Sequence, residues 1–539
     1  MADTGPTEDG QTRPQSATSH LKHVAFRIPT LYRDELVQLF KFVGPTIISQ
    51  SMIFLIGFVS TVFCGHLGKI ELASVALAIA VVNVFGIVIG TGLSMTLDTL
   101  ISQTFGSGNL KRVGVILQQG VVILLLACFP CWAVLLNTEL FLILAKQNRD
   151  VASLAQLYVN VFMPALPAAF MYALLGKYLQ NQKIVWPQVI TGVIGNVLNA
   201  IINYVFLYTL ELGVAGSAAA NLITQYSLAG ILCLYIIAKG LHKETWAGWS
   251  MDCLQDWLTF LKLAIPSLLM LCLEFWVFEL GSFLSGIISE VELGAQSVMY
   301  QLIAITFVIP LAFSSAASTH VGNALGANRI EQAKLSAKVP VICATVIGIV
   351  IGLLMIILKD YIGYVFTKEQ EIIKRVSDVA VVYGVMFPVD ALAYVSGGVL
   401  RGVGKQKIGA VCNLIGYYLI GLPIGVSLMF AVKMGIVGLG IGITICVAFQ
   451  SAVYIFIIWK LDWREAAKEA QLRAGVQAND ENEVEMTDLT SAPADVAVET
   501  PPAGSRGRLF VSRGLALFVM LVILILGILA KIYLLQLVN

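Results

Sequence analysis

Long apolar runs, separated by short polar segments, dominate the chain from about residue 38 to residue 460. Most of them reach the roughly 20 apolar residues that a helix needs to cross a bilayer. The pattern predicts twelve spanning helices near 38–64, 72–95, 114–136, 152–175, 187–209, 214–238, 259–285, 293–315, 337–358, 374–400, 408–431 and 435–460. A thirteenth run lies near 515–536. The predicted fold class is therefore an all-α integral membrane protein.

The pattern also repeats once along the chain. Leu39–Lys41 followed by Pro45 returns about 220 residues later as Phe260–Lys262 followed by Pro266. The two copies run in the same order, with about six predicted helices in each. Duplicated helical bundles are typical of secondary transporters, which place substrate between the halves and rock one half against the other. The repeat predicts a transporter built from two six-helix lobes.

These runs divide the chain into six parts. The predicted parts are a cytoplasmic tail at 1–35, an N-lobe at 36–240, an interlobe loop at 241–258, a C-lobe at 259–462, a disordered cytoplasmic linker at 463–513 and the thirteenth helix at 514–539. The linker is assigned on its acidic cluster near 480–485 and on its lack of apolar periodicity.

Composition agrees with a membrane protein. Hydrophobic residues make up 58% of the chain, charged residues 12%, and the mean hydropathy is +0.84, too apolar for a soluble domain. A net charge of +1 gives no reason to expect nucleic acid as a partner. The sequence has no P-loop, no zinc-ligand spacing and no nucleophile with an adjacent base. We therefore expect no enzymatic activity, cofactor or metal, and transport driven by an ion gradient or by the substrate's own gradient.

Lys and Arg residues collect on one side of the predicted membrane. That side includes the N-terminus and the loops after the even-numbered helices, with Lys177 and Arg401 among its cations. The richer side is expected to be cytoplasmic. The thirteenth helix then begins inside and leaves the C-terminus outside the cell.

Few ionisable residues fall within the apolar runs, where each costs roughly 2.5–3.5 kcal/mol on insertion scales. Glu274 lies about 14 residues into its helix, roughly 21 Å along it, with no Lys or Arg nearby in that helix. Glu279 follows about 140° around the helix, so the two point differently. Asp390 comes just after Pro388, which favours a kink beside the acid. Asp98 is the acid of the first copy.

Neutral polar and aromatic side chains are further candidates for a cavity lining. Asn196 and Asn199 share a helix face with Asn203, and Gln50 lies in the first helix. Buried amides between helices also serve simply as interhelical hydrogen bonds. Trp276, beside Glu274, could offer its face to an organic cation, or could pack against lipid or a neighbouring helix. His66 and His320 lie near predicted helix ends and receive no role.

Four segments resemble the multidrug and toxin extrusion (MATE) family, especially its vertebrate branch. They are FCGHLG at 63–68, DTLISQT at 98–104, VGNALG at 321–326 and GGVLRG at 397–402. The resemblance covers about 35–460, and the thirteenth helix also looks like the vertebrate branch. It implies two V-shaped lobes that alternate between inward-open and outward-open states. It also implies export of organic cations in exchange for protons at the apical plasma membrane of excretory epithelia, by a protein expected to work as a monomer.

The resemblance also bears on individual residues. Glu274, Glu279 and Asp390 fall where the family carries functional carboxylates, and Asp390 is a shortened form of the expected Glu. Gln301, beside Tyr300, stands where animal relatives usually have a Glu. An amide cannot bind or release a proton in this pH range. Gln301 and Tyr300 both remain candidates for the cavity lining. The expected mechanism makes Glu274 and Asp390 a shared site for a proton or an organic cation.

Two alternatives remain within the transporter class. A sodium-coupled drug exporter of the same fold would respond to external sodium without a pH gradient. A lipid-linked sugar flippase would need a wide cationic cavity for its pyrophosphate, whereas the interior charges named above are acidic.

Overall fold

The computed structural model describes residues 30–476 and 503–538. Helices make up nearly all of the described chain, and thirteen of them are long and apolar enough to span a membrane. In chain order the spans are α1 (Thr30–Gly65), α2 (Ile70–Gly106), α3 (Leu110–Leu135), α4 (Arg149–Asn181), α5 (Trp186–Thr209), α6 (Gly213–Ala238), α7 (Trp257–Ile288), α8 (Glu290–Gly326), α9 (Ile330–Ile357), α10 (Gln370–Val403), α11 (Gln406–Ala431) and α12 (Ile436–Lys460). They confirm the predicted fold class. A short amphipathic helix, α13 (Trp463–Arg473), and the thirteenth span, α14 (Ala503–Val538), follow.

Several spans depart from a regular helix, and the departures in α2 and α11 lie beside the cavity described below. The chain of α2 passes through a π-helical turn at Asn83–Ile87 and a break at Met95 and Thr96 before its last helical segment. In α11 two π-helical stretches occupy Leu414–Gly421 and Ser427–Ala431. Such turns are frequent at functional sites. Met95 and Tyr417, from these irregular stretches, both line the cavity described below.

The first helix of each lobe begins against the other lobe. In α1, Leu39 and Phe42 pack in a cluster with α8 and α9 of the C-lobe. In α7, Trp257 and Phe260 pack in the main cluster of the N-lobe. Pro45 and Pro266 lie within these helices, at the positions that the repeat relates. The lobes are thus interlocked by the first halves of α1 and α7.

The last turns of α2 and α8 form a polar seam between the lobes, defined by residues 97–106 and 318–326. A Cβ on Gly326 would overlap the carbonyl oxygen of Gln103, and one on Gly106 would overlap that of Asn323. Glycine at these two positions allows the backbones to touch. The Gln103 amide also donates to the Gly402 carbonyl over 2.8 Å. The N-lobe is therefore hydrogen-bonded to α10 at the end of the molecule that is predicted to be cytoplasmic.

The start of the predicted disordered linker is helical, which corrects the assignment of 463–473. Asp462 caps α13 by accepting hydrogen bonds from the backbone N–H groups of Arg464 and Glu465. Ala466, Ala467 and Ala470 share one buried face, and their small side chains let α13 pack closely on the seam. Because this face is made of alanine, the segment lacks the strong apolar signal of a core helix. The acidic residues 480–485 lie outside the described residues.

The thirteenth span packs on α3 of the N-lobe. Gly527 lies against Ala133, and the Asn137 amide donates to the Gly527 carbonyl over 3.0 Å. The Arg513 guanidinium stacks over the Trp257 ring at 4.3 Å and donates to the Leu254 carbonyl over 2.9 Å. The helix thus contacts the interlobe loop as well as the N-lobe.

Candidate functional site

A cavity lies mainly within the C-lobe and contains two buried acids. Glu274 comes from α7 and Asp390 from α10, and their exposed fractions are only 9% and 6%. Its lining residues are Met95, Met270, Leu271, Glu274, Asp390, Ala393, Tyr394, Gly397, Arg401, Asn413, Tyr417, Gln450 and Tyr454. Met95 is the N-lobe residue in this set. The structure therefore brings together the two acids that the sequence ranked first.

Tight helix packing places Asp390. On α9, a Cβ at Gly352 would overlap the Gly384 carbonyl oxygen of α10, and Pro388 lies beside the same glycine. α10 nevertheless continues as a helix through Pro388 to Val403. Asp390 lies in the second half of this helix. It faces the cavity together with Ala393, Tyr394 and Gly397, which have the spacing of one helix face.

Hydrogen bonds fix the tyrosine and amide walls of the cavity. The Tyr454 hydroxyl donates to Asn413 Oδ1 over 2.7 Å, and the Asn413 amide donates to the Met270 carbonyl over 2.9 Å. Tyr394 packs edge to face on Phe307, with ring centroids 4.6 Å apart. The walls therefore present rigid aromatic rings beside two carboxylates, a combination that suits an organic cation.

Arg401 also lines the cavity, and sequence reasoning did not find it there. The sequence interpretation placed it on the cytoplasmic loops and gave Glu274 no cationic neighbour. In the structure it is buried in α10, within electrostatic reach of Glu274. Its Nη2 donates to Ser314 Oγ over 2.6 Å, and its Nε lies 3.8 Å from Asp98 Oδ2. Arg401, which the sequence assigned to a loop, therefore forms part of the cavity wall.

Asp98 lies behind this wall, in the polar seam, and is not among the residues that line the cavity. Its Oδ2 pairs with Lys177 Nζ at 3.1 Å, and its Oδ1 accepts from the Asn181 amide over 3.1 Å. Lys177, also assigned to a loop from the sequence, has a side chain only 11% exposed. The first-copy acid is therefore fully paired and touches the cavity only through Arg401.

The other candidates lie elsewhere. Glu279 is half-buried and accepts a hydrogen bond from the Tyr300 hydroxyl over 3.4 Å. Gln301 is exposed. Trp276 packs against a small apolar cluster that contains Met95 of the N-lobe and Leu271 of the C-lobe.

Three amides of the first copy also lie outside the cavity. The Asn196 amide donates to the Met52 carbonyl over 2.7 Å. Asn199 takes part in an N-lobe hydrogen-bond network, and Gln50 is half-buried in α1. Residue type and spacing alone could not tell such interhelical bonds from a cavity lining.

Comparisons with known proteins agree on one family. The MatE family model matches residues 45–205 and 266–427, more than half of the chain. Multidrug and toxin extrusion protein 1 of Danio rerio is 63% identical over 450 residues, which cover 84% of this chain and 76% of that protein. The human protein of the same name is 54% identical over 448 residues, covering 83% and 79%. The solved structure of the eukaryotic MATE transporter AtDTX14 superposes with a TM-score of 0.79 at 30% identity, over 82% of this chain and 100% of that one.

Proposed function

Because this chain belongs to the multidrug and toxin extrusion (MATE) family of membrane transporters, we propose that it exports organic cations in exchange for protons. The observation that carries the proposal is the pair of buried acids, Glu274 and Asp390, in a cavity walled by tyrosine rings. A carboxylate binds a proton or a cation in the same place, so the two ligands exclude each other. Competition for one site is the simplest physical basis for exchange.

Exchange then follows from alternating access. When the cavity opens outward, protons bind the acids and displace the organic cation. When it opens inward, a cation displaces the proton. For exchange of one proton for one monovalent cation, each unit of pH difference supplies about 1.4 kcal/mol, or roughly a tenfold concentration ratio.

The chemistry of the cavity also guides the choice of substrate. Its rings and carboxylates favour flat or quaternary cations, whereas a pyrophosphate lipid would meet two acids. We place the protein in the plasma membrane, apical in excretory epithelia, with its N-terminus inside and its C-terminus outside. Glu279, with Tyr300, is proposed as an outer contact on the cation path, and the protein is proposed to work as a monomer.

Efflux of tetraethylammonium from preloaded cells tests the coupling. External pH is stepped down at fixed sodium, with wild type compared with Glu274→Gln. Acidic external medium should speed efflux from wild-type cells, and the variant should lose at least about tenfold of that pH-driven rate. Glu290→Gln makes the same substitution at an exposed site on α8 and should behave as wild type.

Two outcomes would overturn the proposal. Full pH-driven efflux from the Glu274→Gln variant would remove Glu274 from the site. Efflux that follows external sodium at constant pH would assign sodium, not the proton, as the coupling ion.

A further inference from the structure

We propose that Glu35 and His320 form a second proton-binding site at the contact between the lobes, and that a proton bound there holds the lobes together. The site is separate from the acids of the cavity and lies at the end of the molecule that is predicted to be cytoplasmic. Its ligand is a proton from that side of the membrane. The proposal rests on the proposed function only where it assigns lobe separation to a transport cycle.

The two side chains of the site come from different lobes. Glu35 of α1 is 2% exposed and His320 of α8 is 4% exposed, and His320 Nδ1 lies 3.3 Å from Glu35 Oε1. Because a carboxylate only accepts, Nδ1 carries the hydrogen of this bond, and a neutral imidazole then has a free lone pair on Nε2. A proton that binds Nε2 makes the ring a cation. The hydrogen bond thereby becomes an ion pair while both side chains stay in place.

The other contacts of this pair also cross the lobe boundary. The Gln332 amide and the Ser336 hydroxyl, both on α9, donate to Glu35 over 2.6 and 2.7 Å. The His320 ring packs edge to face on Phe42 of α1, with ring centroids 5.6 Å apart. Glu35 and Phe42 belong to the N-lobe, and the other three residues belong to the C-lobe. Parting of the lobes therefore removes the carboxylate from the imidazole.

The remaining charges near the site do not cross the contact in the same way. Lys183, in the loop between α4 and α5, is within electrostatic reach of Glu35 and of Arg329. Burial lowers the pKa of Lys183, and Glu35 opposes that shift. Lys183 belongs to the N-lobe and stays with Glu35 when the lobes part. The face of α13 that packs on this cluster is made of alanine and adds no charge.

The direction of the effect follows from linkage. Histidine is the side chain whose charge ordinarily changes between pH 5 and pH 8, and a carboxylate beside it favours the charged form. The imidazolium has this partner only while the lobes touch at Glu35. A proton therefore favours the closed contact by the factor by which the closed contact favours the proton. The contact strengthens as pH falls and weakens as pH rises, so a cytosol that has gained protons delays the next inward opening.

The distance between the lobes tests the proposal on the full chain in lipid nanodiscs, with the same pH on both sides. Spin labels are attached at Lys111→Cys on the N-lobe and Glu331→Cys on the C-lobe, two exposed positions at the starts of α3 and α9. Double electron–electron resonance then gives the ratio of closed to open molecules.

The labelled protein carries two further pairs of substitutions. Cys233 and Cys343, which are not fully buried, are replaced by Ser so that the labels attach only where intended. Glu274→Gln and Asp390→Asn remove the acids of the cavity, so that their own titration does not move the lobes.

The closed-to-open ratio of this parent should rise by roughly tenfold between pH 8 and pH 5.5, which corresponds to a proton bound about tenfold more tightly at the closed contact. His320→Gln should abolish the rise, whereas a response that came from Lys183 would persist in that variant. His320→Arg carries a permanent charge and should give a high ratio at both pH values. His66→Gln, at an exposed histidine at the end of α1, is the matched control and should keep the rise.

Thermal unfolding of the same proteins gives a second measurement, which holds even where the open population is too small to count. The protonated contact stabilises the folded protein at low pH, and this stabilisation is lost as pH rises. The difference in Tm between the parent and His320→Gln should therefore widen as pH falls from 8 to 5.5. The difference between the parent and His66→Gln should stay constant.

Three outcomes would overturn the inference. They are a measurable ratio that does not rise in acid, a rise that persists in His320→Gln, and a Tm difference for His320→Gln that is the same at both pH values. Failure of the proposed function looks different, because wild-type cells would then show no pH-driven cation efflux. The distance and Tm measurements need neither a cation nor a gradient, so they decide the role of His320 separately.

Discussion

At the scale of single residues, the Asn199 amide lies at the centre of a hydrogen-bond network inside the N-lobe. Its Nδ2 donates to Asn221 Oδ1 over 2.9 Å and to Thr224 Oγ1 over 3.0 Å. Asn221 in turn donates to the Tyr158 hydroxyl over 2.6 Å. The network joins α5, α6 and α4, so Asn199 contributes to helix packing.

Asn199→Ala should therefore lower stability and leave substrate affinity unchanged. Loss of one such bond in a membrane protein costs about 0.6–2 kcal/mol, so the Tm of the purified protein should fall by a few degrees. Ser227→Ala removes an exposed hydroxyl that bonds within its own helix and should leave the Tm in place. A rise in the KM for tetraethylammonium at unchanged Tm would place Asn199 on the cation path instead.

Arg401 shows why residue-level sequence reasoning failed at one wall of the site. Gly402, Gly404 and Lys405 follow it, so the segment has the composition of a polar loop. In the structure α10 continues to Val403. Side chains on a helix tilt toward its N-terminus, so an arginine in the last turn points back into the lobe. Glu274 and Asp390 could be singled out because each is an ionisable residue deep within an apolar run.

At the scale of elements, the apolar runs predicted all thirteen spans, but two of the predicted spans stop well before the C-terminal end of the helix. α2 and α8 each extend about ten residues beyond the predicted ends near 95 and 315. The added turns contain Asp98, Gln103, Thr319 and Asn323. Because these residues are polar, the apolar run ends before the helix does. These polar turns are buried because each lobe covers the other at the seam. The residues that cover these turns lie far away in the sequence, so a local hydropathy pattern cannot predict that the turns are buried helix.

The helix α13 links the two lobes next to the polar seam through Arg473. Its Nη1 donates to Gln103 Oε1 over 3.0 Å and to the Val403 carbonyl over 3.2 Å. Burial lowers the pKa of the Arg473 guanidinium, and Glu469, whose Oε2 is 2.7 Å from Nη2, opposes that shift. One side chain thus bonds α2 of the N-lobe and α10 of the C-lobe.

Arg473→Ala should therefore open the seam more often. Loss of hydrogen bonds to a charged group costs about 1.5–3 kcal/mol, so alkylation of a Ser102→Cys reporter should speed up by roughly tenfold or more. The exposed Cys233 is replaced by Ser in this background. Arg464→Ala, on the exposed face of the same helix, is the matched control. Equal labelling rates in both variants would show that α13 does not restrain the lobes.

At the scale of the whole molecule, α1 fastens the N-lobe to the C-lobe through Glu35. Its Oε2 accepts from the Gln332 amide over 2.6 Å, and its Oε1 accepts from Ser336 Oγ over 2.7 Å. His320 Nδ1 lies 3.3 Å from the same Oε1. If the lobes alternate as proposed, these contacts must break in every cycle.

A reversible crosslink at this contact tests the required motion. Glu35→Cys with Gln332→Cys should be bridged by a bifunctional thiol reagent about as long as the two side chains removed. The bridge should abolish pH-driven exchange, and reduction should restore it, because the lobes cannot separate while it holds. Each single variant treated with the same reagent should retain exchange. Undiminished exchange in the bridged protein would show that the lobes move without parting at Glu35.

The internal repeat predicted the two lobes, but it could not predict how they meet. The lobe contact depends on residues such as Asp98 and Arg401, which lie about 300 positions apart and share no local pattern. The acids of the cavity belong to the second copy, and its walls come mainly from α7, α10, α11 and α12. A sequence can therefore draw attention to the acids, whereas the position of Arg401 in the wall beside them emerges only from the packed helices.

The docking of α1 on the C-lobe also constrains biosynthesis. His320 is made 285 residues after Glu35, which at about 5–20 residues per second corresponds to roughly 15–60 s of translation. Until then, Glu35 lacks His320, Gln332 and Ser336, and Leu39 and Phe42 lack the α8 and α9 residues of their cluster. The first helix of the nascent N-lobe is therefore incompletely packed in the bilayer during this time. Mutations in α8 or α9 that prevent its docking should leave α1 accessible to quality control before the transporter ever binds a cation.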